Sequence, residues 1–172
     1  MVTAREELVS HLTEGSTQVF NEDAFRHLLT RESVRAIRYQ DFFTVCLLRP
    51  DGREDWELSE EAERAVSQKI PEFIRATDLV GQLSSSIAVI LLHTAGSDAL
   101  RVAERIRTNL EQVAFQEARG GRRQHLTVSV GKVSFPHDGQ DDTALLARAM
   151  AVLEQAALRG GNQVSDGAEP VD

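Results

Sequence analysis

The chain has 172 residues, 41% hydrophobic and 27% charged, which suits one soluble domain able to bury a full core. Its formal net charge of −8 opposes non-specific binding to nucleic acid or to an anionic membrane. The single cysteine, Cys46, excludes an intrachain disulfide and fits a reducing cytoplasm, while no signal peptide or bilayer-spanning apolar run is expected.

A first helix is expected over residues 4–13, interrupted by Glu14-Gly15-Ser16-Thr17. Asn21 is placed to cap a longer helix in which Phe25, Leu28, Leu29, Val34 and Ile37 recur at helical spacing. Phe42 to Leu48 reads as a central strand with Cys46 buried in it, and Pro50-Asp51-Gly52 carries turn chemistry that ends it. Ser59 can cap the next helix, Glu60 and Glu61 suit the positive end of its dipole, and Pro71 should kink or break it before Ile74. Residues 78–93 read as a β-hairpin around Ser84-Ser85-Ser86, its second arm apolar enough to be buried on both faces.

Ser97 can cap a further helix with Leu100, Ala103, Ile106 and Leu110 in one stripe. Gly120 to Arg123 reads as a loop, and Leu126 to Phe135 alternates as a strand closed by Pro136. Asp141-Asp142 should cap a last helix over 142–158, ended by Gly160-Gly161, before a short strand at Gln163-Val164. The chain thus divides into an N-terminal helical extension (1–16), one domain (17–164) and a disordered polar tail (165–172). This order of elements predicts an α+β fold, a mostly antiparallel sheet flanked by helices.

The blocks FRHLLTRESVRAIRY, RATDLVGQL, AERIR, LTVSVGKVSFPHDG and LLARAMAVLEQAALRGGNQV follow one another over residues 17–164. In that order they resemble the GGDEF family of diguanylate cyclases. The last two are similar to its TVSIGVA..P.DG strand and its LLxRADxALYxAKxxGRNxV helix and strand. The resemblance implies the nucleotidyl-cyclase-like, ferredoxin-like palm fold. In that family, two-metal catalysis joins two GTP molecules across a homodimer. Its Mg²⁺ takes oxygen ligands from an Asp ending the first strand and from the acidic third residue of the GGDEF turn.

Here Arg49 stands at the first of those positions and Ser86 at the second. Ser84 and Ser85 replace the two glycines, and Ile87 replaces the next acid. Glu57 falls near the guanine-reading Asn, Ala157 replaces a phosphate-meeting Lys, and Met150 and Glu154 replace an Asp and a Tyr of the last helix. The resemblance therefore implies a degenerate domain that is not an enzyme and takes no metal or cofactor. Its expected role is a regulatory or protein-interaction module in bacterial cytoplasmic signalling, with a protein partner and with homodimerisation left open.

One family feature is retained. The product-binding inhibitory site is an Arg-x-x-Asp five residues before the signature turn, and Arg75-Ala-Thr-Asp78 stands at that spacing. Arg105 matches the second arginine of that site, with Arg101 and Arg107 beside it, although Gln82 replaces an Arg nearer the turn. An arginine can fork onto guanine or phosphate, so the alternative function is a cyclic di-GMP receptor. Read without the resemblance, Arg75 and Asp78 pair with each other or cap backbone groups. The three serines lack the context of a nucleophile elbow, and the five histidines have no zinc-ligand spacing. Acidic residues Glu54 to Glu63 around Trp56 are either a solvated face or a docking surface for a basic partner.

Overall fold

The structure, a computed structural model, describes residues 12–13, 18–52, 60–116 and 123–168. The helix expected over 4–13 lies almost wholly outside the described residues, and Glu54, Asp55, Trp56 and Glu57 of the acidic run, Ser59 and the Gly120-Gly121 loop lie outside them. After a short strand β1 (Val19–Phe20) comes helix α1 (Glu22–Tyr39). Asn21 caps it as expected, its side chain accepting from the Ala24 N–H at 3.0 Å. Phe25, Leu29, Ser33 and Ala36 form the buried face of α1. Val34 and Ile37, expected with that stripe, lie off it and are 62% and 61% exposed, because Val34 follows Phe25 by nine residues, half a turn out of phase.

Strand β2 (Phe43–Pro50) is buried except at Arg49. Helix α2 (Glu60–Lys69) passes into a 3₁₀ turn (Ile70–Phe73) at Pro71, whose missing N–H cannot continue the α-helical ladder. Strands β3 (Leu79–Leu83) and β4 (Ser86–Leu92) form the expected hairpin. Its turn is only Ser84-Ser85, because Leu83 pairs directly with Ser86; Ser86 is thus a strand residue rather than part of the turn.

Helix α3 (Gly96–Gln112) starts earlier than expected. Ala95 holds the capping position without a side-chain bond, and Ser97 lies inside the first turn. Two strands of three residues, β5 (Ala114–Gln116) and β6 (Arg123–His125), pair in a hairpin that the sequence does not announce. Their outward residues are polar or small, and Arg123, read as loop, opens β6. Strand β7 (Val128–Phe135) is buried along its whole length. Helix α4 (Asp142–Leu158) is capped by Asp141, which accepts from the Ala144 N–H at 2.7 Å.

Strand β8 (Val164–Asp166) carries order into the segment expected as a tail. Lys132, buried in β7, draws Asp166 to 2.7 Å, and the Gly167 N–H donates to the Lys132 carbonyl at 2.7 Å. A buried ammonium needs a charged partner, so these residues close the sheet edge.

The six strands lie in the order β1-β3-β4-β2-β7-β8, antiparallel through the four central strands and parallel at both edges. One apolar layer, including Leu48, Val66, Ile70, Ile106 and Val130, packs under α2 and α3. The other, including Phe25, Leu29, Val45, Leu145 and Leu153, packs under α1 and α4. Phe43 and Phe135 stack at 4.9 Å across the central pair of strands. Gly131 lets α4 lie directly on β7, since a Cβ there would sit 2.5 Å from the Leu153 nitrogen. Burial pushes the Cys46 thiol up to about 12, which makes it a core side chain and not a nucleophile. No helix among the described residues is long and apolar enough to cross a membrane.

Candidate functional site

The far end of β2 meets the β3–β4 turn, the start of α1 and the last turns of α4. Arg49 leaves β2 there and its Nη1 donates to Glu154 Oε1 on α4 at 2.9 Å. That bond and the guanidinium charge hold the Glu154 carboxyl below its usual range. Ser86, the position of the signature acid, is fully buried, and its hydroxyl has no hydrogen-bond partner among the described residues. Ile87 points into the core on the α2–α3 side.

The turn itself is tied down by protein. The Ser84 N–H donates to Glu22 Oε2 on α1 at 2.8 Å. Gln82 donates through Nε2 to Glu63 Oε2 on α2 at 2.9 Å. Burial raises the Glu63 carboxyl, opposed by the Gln82 bond and by the nearby charge of Arg49. Met150 packs against the apolar layer under α4, while Ala157 and Glu154 line an open pocket of about 510 Å³ with Arg49 and Gly161.

Asp51, read only as a turn residue, is the hub of this end. Its carboxylate accepts from Thr127 Oγ1 at 2.8 Å, Ser129 Oγ at 2.5 Å and the Asn162 N–H at 2.8 Å. It thereby joins the end of β2 to the start of β7 and to the loop after α4. The only hint of this in the sequence is an acid beside a turn, which is common to most turns.

A divalent cation of the Mg²⁺ type needs several free oxygen ligands in octahedral array. The residues at the two family metal positions are a guanidinium and a buried hydroxyl. Glu154 is held by Arg49, and Asp51 by three donors. The set does not fit the metal, and among the described residues no group of three or more His, Cys, Asp or Glu is arranged to hold one.

The second candidate site lies at the junction before β3. Arg75, Arg101 and Arg105 converge on an open pocket of about 340 Å³ that also takes in His93, Thr94 and Asp98. Arg105 donates to the Phe73 carbonyl at 3.1 Å, and Arg101 to Asp98 at 3.2 Å. Asp78 is not among the lining residues. Its carboxylate accepts from the Arg75 N–H at 3.0 Å and from the Leu92 N–H at 3.1 Å, so it clamps backbone. Arg107 is engaged by Glu104, Glu111 and Asn162.

A model of the diguanylate cyclase GGDEF domain matches residues 59–163. The response regulator PleD of Caulobacter vibrioides is 33% identical over 109 residues, which cover 63% of this chain. The chain spans about a quarter of that protein's length, 24%. Among solved structures, the GGDEF domain of DgcB from Caulobacter crescentus in complex with c-di-GMP superposes with a TM-score of 0.79 at 20% identity. That match covers 92% of this chain and 96% of the other. The diguanylate cyclase SiaD in complex with its activator SiaC, from Pseudomonas aeruginosa, gives 0.78 at 20% identity, covering 93% of this chain and 64% of the other. At these identities the structural likeness shows the fold.

Proposed function

This chain belongs to the diguanylate cyclase GGDEF-domain family of cyclic di-GMP signalling, and we propose that it is an inactive member, a regulatory and protein-interaction module of the bacterial cytoplasm. The observation that carries this reading is the Arg49–Glu154 pair at the end of β2. A cation there repels the Mg²⁺ that an aspartate would bind, and the carboxylate nearest to it is already neutralised. Three losses support the same reading. Ser86 offers a buried hydroxyl in place of an acid. Ser84 and Ser85 have side chains where glycines would let a phosphate approach, and the Ser84 N–H is engaged by Glu22. Ala157 offers no charge to a phosphate. Calorimetric titration of the purified chain with GTP and Mg²⁺ tests this: no saturable heat is expected, and micromolar binding that depends on Mg²⁺ would count against it.

A second reading rests on the pocket of Arg75, Arg101 and Arg105, which gathers three guanidinium groups as an anionic, guanine-bearing ligand would require. On that reading the domain is a cyclic di-GMP receptor, in keeping with the c-di-GMP complex of the DgcB domain. Asp78 then acts by holding the Arg75 backbone in place, unless it releases the Leu92 N–H to reach the ligand. Titration with cyclic di-GMP decides the matter. Micromolar binding abolished by Arg75→Ala and by Arg105→Ala supports a receptor, and no heat at high ligand concentration removes it.

A further inference from the structure

Six large hydrophobic side chains are exposed among the described residues, and three of them, Val34, Ile37 and Phe42, follow one another along the outer face and the end of α1. Val34 and Ile37 occupy the outer face of α1. Phe42 follows its end, and with Pro136, Ala36 and the edge of Phe135 it borders an open apolar pocket of about 480 Å³. Apolar residues scattered singly over a surface call for no explanation, whereas a contiguous cluster marks a contact surface. The cluster has its own charge. Arg31 and Arg38 are exposed on α1, three residues before and four after Val34, which places them along one row of the helix surface. Arg38 lies over the Tyr39 ring at 5.8 Å. Arg35, by contrast, is engaged with Glu32 and Asp41, so it braces the helix end.

We propose that this face of α1 and Phe42 is a docking groove for an amphipathic helix of a partner protein, one whose apolar stripe is flanked by carboxylates. The proposal rests on the interaction-module reading above and says which surface interacts and with what chemistry. Apolar anchors at helical spacing fit the row of Val34 and Ile37 and the pocket beside Phe42, in the manner of helix-in-groove recognition. Charge selects the partner. Arg31 and Arg38 flank one side, and Asp41, which also borders the pocket, is engaged by Arg35 and His93. The local charge thus favours a small carboxylate-flanked partner, whereas an extended anionic membrane would meet the rest of a chain that carries −8. A second copy joined by a two-fold axis is also disfavoured. Antiparallel apposition of two α1 helices would set Arg31 of each copy against Arg38 of the other.

The test uses the full chain and two synthetic peptides read by fluorescence anisotropy. Both are amphipathic helices with the same leucine stripe, one flanked by glutamates and the other by lysines. The glutamate peptide should bind at least about tenfold more tightly. Ile37→Ser and Phe42→Ser should each weaken it about tenfold, and Ile37→Ser should do so with little change in the thermal midpoint, because that side chain is 61% exposed. The double variant Arg31→Glu, Arg38→Glu should reverse the preference. Equal affinity for both peptides, or an unreversed preference in the double variant, overturns the proposal. Concentration-dependent dimerisation abolished by Ile37→Ser would assign the groove to a second copy instead, and binding to phosphatidylserine vesicles lost in the double variant would assign it to a membrane. Failure here is separable from failure of the underlying reading. Cyclase turnover by the chain removes that reading, whereas a turnover-silent chain that does not discriminate between the peptides removes only the groove.

Discussion

The two ends of strand β2 have opposite characters. At the Arg49 end the charged groups have found partners, Arg49 with Glu154, Ser84 N–H with Glu22, Gln82 with Glu63, and Asp51 with three donors, and what is left over is neutral: the Ser86 hydroxyl and Gln82 Oε1. At the Phe42 end the apolar groups have not, and Val34, Ile37, Tyr39 and Phe42 meet solvent. A polar site whose members neutralise one another holds little unspent affinity for an ion or phosphate. An exposed apolar cluster keeps its full driving force for association. The end where the resemblance places the family's chemistry has its charges paired, and the opposite end is the one that leaves apolar side chains in solvent.

The largest expected effect comes from the aromatic stack within the apolar layer under α1 and α4, near the Phe42 end. Phe43→Ala removes a fully buried ring packed on Phe135 and should cost about 3–5 kcal/mol in urea unfolding, against about 1 kcal/mol for Phe42→Ser, whose ring is 43% exposed. Equal effects would erase the distinction between core and docking surface at neighbouring positions. Next, Asp51→Ala should cost about 1–3 kcal/mol, since it orphans the Asn162 N–H and two hydroxyls. If the variant is as stable as the parent, the Arg49 end is less self-satisfied than its bonds imply.

Much of this was legible in the sequence. Asn21, Asp141 and Pro71 act on the backbone locally, so the starts of α1 and α4 and the break after α2 follow from residue type. The hairpin and β7 follow from apolar runs that only a central sheet can bury. Effects that depend on distant partners were not legible. Ser97 lost the cap because the chain turns into α3 at Ala95. Ser165 and Asp166, expected in the tail, joined β8, where Asp166 pairs with the buried Lys132 far back in the sequence. Val34 and Ile37 were legible and misassigned: nine residues after Phe25, Val34 is half a turn out of phase with the core stripe, and it lies on the other face. For the site, Arg49 and Ser86 were singled out through the resemblance, but the pairing of Arg49 with Glu154 and the clamp made by Asp78 depend on the fold.

Smaller effects sharpen the contrast further. Asp78→Ala should destabilise by about 1–2 kcal/mol through two lost backbone bonds, whereas Arg75→Ala should stay within about 0.5 kcal/mol, each read by thermal unfolding. The reverse order would make Arg75 the structural member of the motif. The smallest effect concerns pH. Arg49 lowers the Glu154 carboxyl in the folded state, so the pair's contribution is complete above the ordinary value of 4.5 and fades as pH falls through the lower folded value. Glu154→Gln should flatten that part of the stability profile and change neutral-pH stability by less than about 1 kcal/mol, since the carboxylate is half exposed.

The most direct test of the inactive reading is turnover. The purified chain is incubated at high concentration with GTP and Mg²⁺, and cyclic di-GMP is quantified by mass spectrometry beside a working diguanylate cyclase. The expected result is product at the level of the protein-free control. Cyclic di-GMP accumulating with time and with enzyme concentration would contradict it.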